Sequence, residues 1–181
     1  NAGLFSALAA AHLPEDTAIL AIEPHPALQA RLRANLSFAP HPDRIMLAPV
    51  AVGETEGMLA LTYRPSDLGG SSLAAGQIAG TAVTAEVAVR PLLALLTEAG
   101  FDRIDLLKID VEGFEDQALA PFFAAAPVSL WPRTVLMEVV HAGRWQVPLL
   151  DRMLAAGYVI TARRGPDVTL ELGEASGWPK A

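Results

Sequence analysis

The chain contains no cysteine, and this one absence removes disulfide frameworks, thiolate metal sites and cysteine nucleophiles together. It leaves the reducing cytoplasm as the default compartment. Cations are scarce as well: 13 Lys and Arg stand against 20 Asp and Glu, for a formal charge of -7. Nucleic-acid backbones and anionic membrane surfaces are recognised by clustered Lys and Arg, so neither is expected as the main partner. No apolar run approaches the length of a bilayer span, and no signal-peptide pattern opens the chain. What the chain has is apolar mass: 52% of its 181 residues are hydrophobic, enough to bury one good core. The expectation is one domain over residues 1–173 with a loose tail over 174–181. The first residue is Asn1 rather than Met, immediately before a helical pattern. The chain therefore reads as a fragment cut inside a loop, with Asn1-Ala2 open to being a tag remnant.

The stretch Ile104-Asp105-Leu106-Leu107-Lys108-Ile109-Asp110-Val111-Glu112-Gly113-Phe114-Glu115 organises the rest. An apolar run ends abruptly in two carboxylates and a glycine, just before a helical pattern. That describes a buried parallel strand delivering acids to its carboxyl end, where open α/β sheets bind their ligands. Asp110 and Glu112 are the first functional candidates. The plainer alternative is that Asp110 caps the turn while Glu112, Glu115 and Asp116 complement the positive end of the following helix.

Taken in order, residues 4–11 read as a helix opening from a glycine-containing loop. Thr17 to Ile22 is a β-type run ending at Glu23-Pro24-His25-Pro26, and Pro26 suits the first turn of a helix with Leu28, Leu32 and Leu36 on one face. An acid at that strand end suits ribose hydroxyls, whereas His25, between prolines, reads as a loop residue. A third strand over 44–52 is interrupted by Pro49. Two alternating runs, 57–63 and 81–89, predict antiparallel strands joined by a long Gly- and Ser-rich loop, a lid candidate containing Ser71 and Ser72. A helix over 91–99 precedes the organising strand, and Thr134 to Val140 is a further buried strand leading to His141. Lys108 and Glu138 interrupt neighbouring apolar strands at equal offsets and are expected to pair. After a helix over 147–156, the runs 158–162 and 168–172 make a closing hairpin.

The segment 106–115 resembles the signature strand of the FkbM-type methyltransferase family, S-adenosyl-L-methionine-dependent enzymes with a Rossmann-like sheet. Asn1-Ala2-Gly3-Leu4-Phe5-Ser6 is similar to the second half of the family's first motif, and Ala21-Ile22-Glu23-Pro24 to its second strand with the ribose acid. Ala48-Pro49-Val50-Ala51-Val52-Gly53 resembles the third strand, and Val135-Leu136-Met137-Glu138-Val139 the fifth. The resemblance implies an α/β fold with a class I methyltransferase sheet, mostly parallel with a closing antiparallel hairpin. The family's first central strand has no counterpart in this chain, and Pro91-Leu92-Leu93 replaces the Leu-Asp that often enters the helix before the signature strand. Without that first strand, no segment of the chain is expected to fill the place between the strands ending at Glu23 and Asp110.

The resemblance further implies O-methylation of a hydroxyl on a sugar-like or secondary-metabolite acceptor, a small molecule or glycan. Glu23 is expected to bind the cofactor ribose, Asn1 and Gly3 its loop side, and Ala51 and Val52 the adenine side. Asp110 would face the methionine end or the reacting centre, and Glu112 and His141 are the base candidates. Methyl transfer from a sulfonium requires positioning and a proton acceptor, so no metal ligands are assigned. Two other readings share parts of the pattern. A nicotinamide-dependent oxidoreductase would need a G-x-G-x-x-G loop and a hydride site, and a Rossmann-like interaction module would need neither.

Overall fold

The structure, a computed structural model, describes residues 2–64, 67–73 and 83–179. It forms two compact units, residues 1–90 and 91–181.

In the first unit α1 (Leu4–His12) starts from Gly3, whose φ of +91° is a left-handed conformation natural to glycine. A side chain there would also meet Leu32, since a Cβ would lie 2.5 Å from its Cδ1. β1 (Ile19–Ile22) leads through α2 (Pro26–Leu36) to β2 (Ile45–Ala48), and the two strands pair in parallel from Ile19↔Ile45 to Ile22↔Ala48. A parallel pair needs a crossover, which α2 supplies. Leu32 and Leu36 on its buried face join Ala21 in a core cluster against which Ala7, Ile45 and Leu47 pack. Beyond Pro49 the chain resumes as β3 (Ala51–Val52) in a second sheet, followed by β4 (Gly57–Arg64), β5 (Asp67–Ser72) and β6 (Val83–Arg90). β3 lies parallel to β6, and β4 lies antiparallel to it in register Gly57↔Val89. Ala51, Leu61, Val87 and Val89 form the core of this sheet.

The segment expected to be loop from residue 64 onward contains β5, antiparallel to β4. With β6 on one side, β4 presents a row of N–H and C=O groups on the other, and β5 pairs with its end from Thr62 to Arg64. Residues 65, 66 and 74–82 of the lid candidate lie outside the described residues.

In the second unit α3 (Leu92–Glu98) precedes β7 (Leu106–Ile109), α4 (Glu115–Ala125), β8 (Thr134–Glu138), α5 (Leu149–Ala155), β9 (Tyr158–Arg164) and β10 (Asp167–Leu172). The sheet order is β7-β8-β10-β9, with β7 and β8 parallel and the last two strands an antiparallel hairpin. Ile109, Val135, Met137, Val168 and Leu170 are buried, as are Leu119, Phe123, Leu149 and Met153 on the helices. The expected parallel pairings and the closing hairpin are present, and β4 and β5 make the sheets mixed rather than mostly parallel. β7 is half-buried instead of buried throughout: Leu106 and Lys108 on one face are exposed, while Leu107 and Ile109 on the other are covered. Among the described residues, β1 and β7 each pair on one side only.

Residues 174–179 are not loose. Trp178 stacks on Phe123 with ring centroids 4.8 Å apart and packs edge-on to Trp131, while the Ser176 N–H donates to the Ala156 carbonyl at 3.0 Å. An indole of that size holds its segment down by the apolar area it buries. Among the described residues no helix is long and apolar enough to cross a membrane.

Two acids at the start of α4 bind the loops around them. Glu115 is 1% exposed. Its Oε1 accepts from the N–H groups of Val111 and Gly113 at 3.1 and 3.2 Å, and its Oε2 from Trp145 Nε1 at 2.8 Å. Asp116, equally buried, accepts through Oδ2 from the N–H groups of Gln146 and Val147 at 2.7 and 3.1 Å. Glu115 and Asp116 thus do more than complement a helix terminus: they tie the turn after β7 to the segment after β8.

Glu115→Ala should cost about 3 kcal/mol or more, since buried donors left unpaired cost about 1–3 kcal/mol each. Denaturant unfolding measures it, and a red shift of tryptophan emission should accompany it as Trp145 loses its acceptor. Tyr158 gives a second expectation. Its hydroxyl donates to the Pro132 carbonyl at 2.7 Å in a buried position, and burial pushes the phenol well above its usual range. The fold favours the protonated phenol, so this stabilisation is complete below the ordinary phenol pKa of about 10 and is lost as pH rises beyond it. Melting curves from about pH 8 to about pH 11 should show a steeper alkaline loss for the wild type than for Tyr158→Phe, which at neutral pH costs about 1 kcal/mol.

Candidate active site

In the first unit the polar groups gather at the carboxyl end of β1. Glu23 is 4% exposed; its N–H extends the ladder to the Ala48 carbonyl, and its Oε1 accepts from the His25 N–H at 2.8 Å. His25, expected as a loop residue, is instead the buried N-cap of α2. Its Nδ1 accepts from the Ala27 N–H at 3.1 Å, so the ring proton is assigned to Nε2. That Nε2 is buried with no hydrogen-bond partner among the described residues, and the ring packs against Tyr63 with centroids 4.2 Å apart. Burial holds the imidazole below its ordinary pKa, against the pull of Glu23, which keeps it neutral. Gly3 stands at the start of α1, where no side chain caps the first amides. Ala51 and Val52 form β3, an edge strand whose outer backbone side is free of the sheet ladder. Asn1 lies outside the described residues.

In the second unit the site forms where β7 and β8 end. Lys108 Nζ lies 3.1 Å from Asp110 Oδ2. Among the described residues this ion pair stands where one with Glu138 was expected, and register explains the difference. Lys108 stands opposite Leu136 and Ile109 opposite Met137, which leaves Glu138 one step beyond the last β7 residue, beside Asp110. After Asp110 the chain turns sharply: Glu112 has φ +55° and Gly113 φ +95°. A left-handed conformation at a residue with a side chain costs about 1–3 kcal/mol, and the two Glu115 hydrogen bonds on either side of Glu112 hold it there.

The turn directs Glu112 towards His141, whose Nε2 lies 3.2 Å from Glu112 Oε2. The two base candidates are thus brought together. Glu138 completes the group: one oxygen from each glutamate and one His141 ring nitrogen all lie within 4.8 Å of one another. Burial raises the Glu138 pKa, followed by the nearby charges of Asp110 and Glu112, with His141 acting in the opposite sense. Glu138 was missed as a candidate because Val139 and Val140 follow it and make it read as an acid interrupting an apolar strand, whereas β8 ends at Glu138 itself. For His25 the only signal was its place next to the strand-end acid.

A family model described as the methyltransferase FkbM domain matches residues 3–160. The chain is 31% identical over 146 residues to the protein "Methyltransferase sdnD" of Sordaria araneosa, covering 66% of this chain and 56% of that protein. It spans a little over half of that relative's length. The fold is similar to the crystal structure of methyltransferase FkbM from Methylobacillus flagellatus KT, with a TM-score of 0.52 and 18% identity, covering 85% of this chain and 36% of the other. The family match runs from the glycine that opens α1 through the acid-bearing ends of β1, β7 and β8 into the closing hairpin, and the chain belongs to the FkbM methyltransferase domain family.

Proposed function

We propose that the chain carries an S-adenosylmethionine-dependent O-methyltransferase activity whose acceptor is a hydroxyl on a sugar-like or secondary-metabolite molecule. Family membership supports methyl transfer. The observation that favours an oxygen acceptor is the convergence of Glu112, Glu138 and His141 at the ends of β7 and β8, since a hydroxyl must shed a proton as it is methylated.

The residues of the first unit fit an adenosyl group. Glu23 supplies a carboxylate at a strand end, suited to ribose hydroxyls, and His25 Nε2 is a buried donor beside it with no partner among the described residues. Gly3 lets backbone approach closely at the start of α1, and the outer edge of β3 offers backbone groups at Ala51 and Val52. When bound, the cofactor supplies a methyl group on a sulfonium, an electrophile that needs no protein nucleophile. In the second unit Asp110, paired with Lys108, adds a further carboxylate at the mouth of β7. The Glu112, Glu138 and His141 group would orient the acceptor hydroxyl and take its proton as the oxygen lone pair bonds to the methyl carbon and the carbon–sulfur bond breaks, the neutral thioether leaving.

The test is transfer of a labelled methyl group from S-adenosylmethionine by the full-length protein to a panel of hydroxylated acceptors, with the product located by mass spectrometry. Methyl on oxygen is expected; methyl found only on nitrogen or carbon would sink the acceptor assignment. Glu23→Gln, which keeps an acceptor for the His25 N–H, should weaken cofactor binding by about 1.5–3 kcal/mol in calorimetry, as expected for hydrogen bonds to a charged group, with the melting temperature little changed. Glu112→Gln and His141→Ala should behave differently. Each should lower kcat by roughly 100-fold or more, the scale of a lost proton acceptor, while the cofactor Kd stays that of the wild type.

A further inference from the structure

We infer that Glu112, Glu138 and His141 form a binding site for one divalent transition-metal cation. The three donors come from separate segments: Glu112 from the left-handed turn after β7, Glu138 from the last position of β8, and His141 from the turn that follows. One ligand atom from each lies within 4.8 Å of the others. Donors about 2.1 Å from a metal lie at most about 4.2 Å apart across it, so a small closure completes the set. Glu112 and His141 side chains are 31% and 24% exposed, which leaves them room for that movement.

One further observation favours a cation. Asp167 stands opposite Glu138 in register and Asp110 lies beside it at the end of β7, so further carboxylates crowd the cluster and a bound cation offsets their mutual repulsion. Two carboxylates with one imidazole are a mixed oxygen and nitrogen set. Such a set suits manganese, iron(II) or zinc, whereas magnesium and calcium prefer oxygen alone. Three protein donors also leave coordination positions for an outside oxygen, as catalytic metal sites do. An acceptor hydroxyl bound there would be both positioned and acidified, its proton passing to the Glu112 or Glu138 oxygen that does not hold the metal while His141 serves as a ligand.

Metal binding can be read without methyl transfer. Titration of the full-length, chelator-stripped protein with Mn²⁺, followed by loss of the free-ion electron paramagnetic resonance signal and by calorimetry, should show one ion per chain at micromolar affinity. Glu138→Gln and His141→Ala should each weaken it by more than the roughly 10-fold that loss of an outer hydrogen-bond partner costs. Asp105→Asn, at the opposite end of β7 where Asp105 pairs with Arg103, should leave it unchanged. Melting temperatures identify any variant that fails to fold, and the near-isosteric Glu138→Gln keeps the test informative if His141→Ala does. No uptake by the wild type at millimolar Mn²⁺, or uptake equal in both site variants, would overturn the inference. Methyl transfer that persists in chelator alongside absent Mn²⁺ binding would remove the metal and leave the proposed function standing; Mn²⁺ binding without transfer to any oxygen would do the reverse.

Discussion

A carboxylate withdrawn from water costs several kcal/mol unless its oxygens are hydrogen-bonded, and at Glu115 three donors meet that requirement: two backbone amides and an indole. The geometry of the second unit's site follows from them. The amides belong to Val111 and Gly113, so they fix the backbone on both sides of Glu112 and hold its left-handed conformation. The indole belongs to Trp145, four residues beyond His141, so the same carboxylate restrains the segment carrying the imidazole. Asp116 adds two bonds to residues 146 and 147. One helix start therefore sets the position of both halves of the Glu112–His141 pair, and α4 is in turn anchored by Leu119, Phe122 and Phe123 in the core.

Much of this architecture can be read in the sequence because it rests on local rules. The four-residue spacing of Leu28, Leu32 and Leu36 makes one apolar face, Pro26 opens that helix and Pro49 breaks the strand before it can enter a second sheet. The acids that end β1 and β7 are legible for the same reason, since a charge that closes an apolar run has left the core. Contacts between distant segments are not legible in this way. Nothing local says that Glu115 finds Trp145, that the segment after Arg64 pairs with β4, or that Trp178 stacks on Phe123. Register is the clearest case. The Lys108–Glu138 pairing follows from equal offsets within two strands, but the actual alignment sets Lys108 against Leu136 and moves Glu138 out to the strand mouth. A strand expected to run to Val140 ends at Glu138, and those two residues decide whether this carboxylate is a core anomaly or part of a site.

The two units hold polar groups of different character. Around Glu23 the arrangement is close to saturated: a carboxylate oxygen with its donor, a neutral imidazole with one nitrogen satisfied, and, among the described residues, a single buried N–H left over. Such groups recognise by hydrogen bonds and shape, because each has a fixed direction and little freedom to exchange protons. The ends of β7 and β8 carry the opposite pattern. Asp110, Glu112 and Asp167 act on Glu138 as like charges. An acid whose proton affinity rises on folding is one whose ionised form the fold disfavours, so the ionised form of Glu138 costs stability at neutral pH. The core does not require that cost: it is built from Val135, Met137 and their neighbours, on residues that alternate with Glu138 along β8. Carboxylates crowded beyond the end of an apolar strand, on a backbone bent through a left-handed glutamate, are stabilised by something positive brought to them. A proton, a cation or an electron-poor reaction centre each meets that description, and the site's chemistry lies in which of them it takes up.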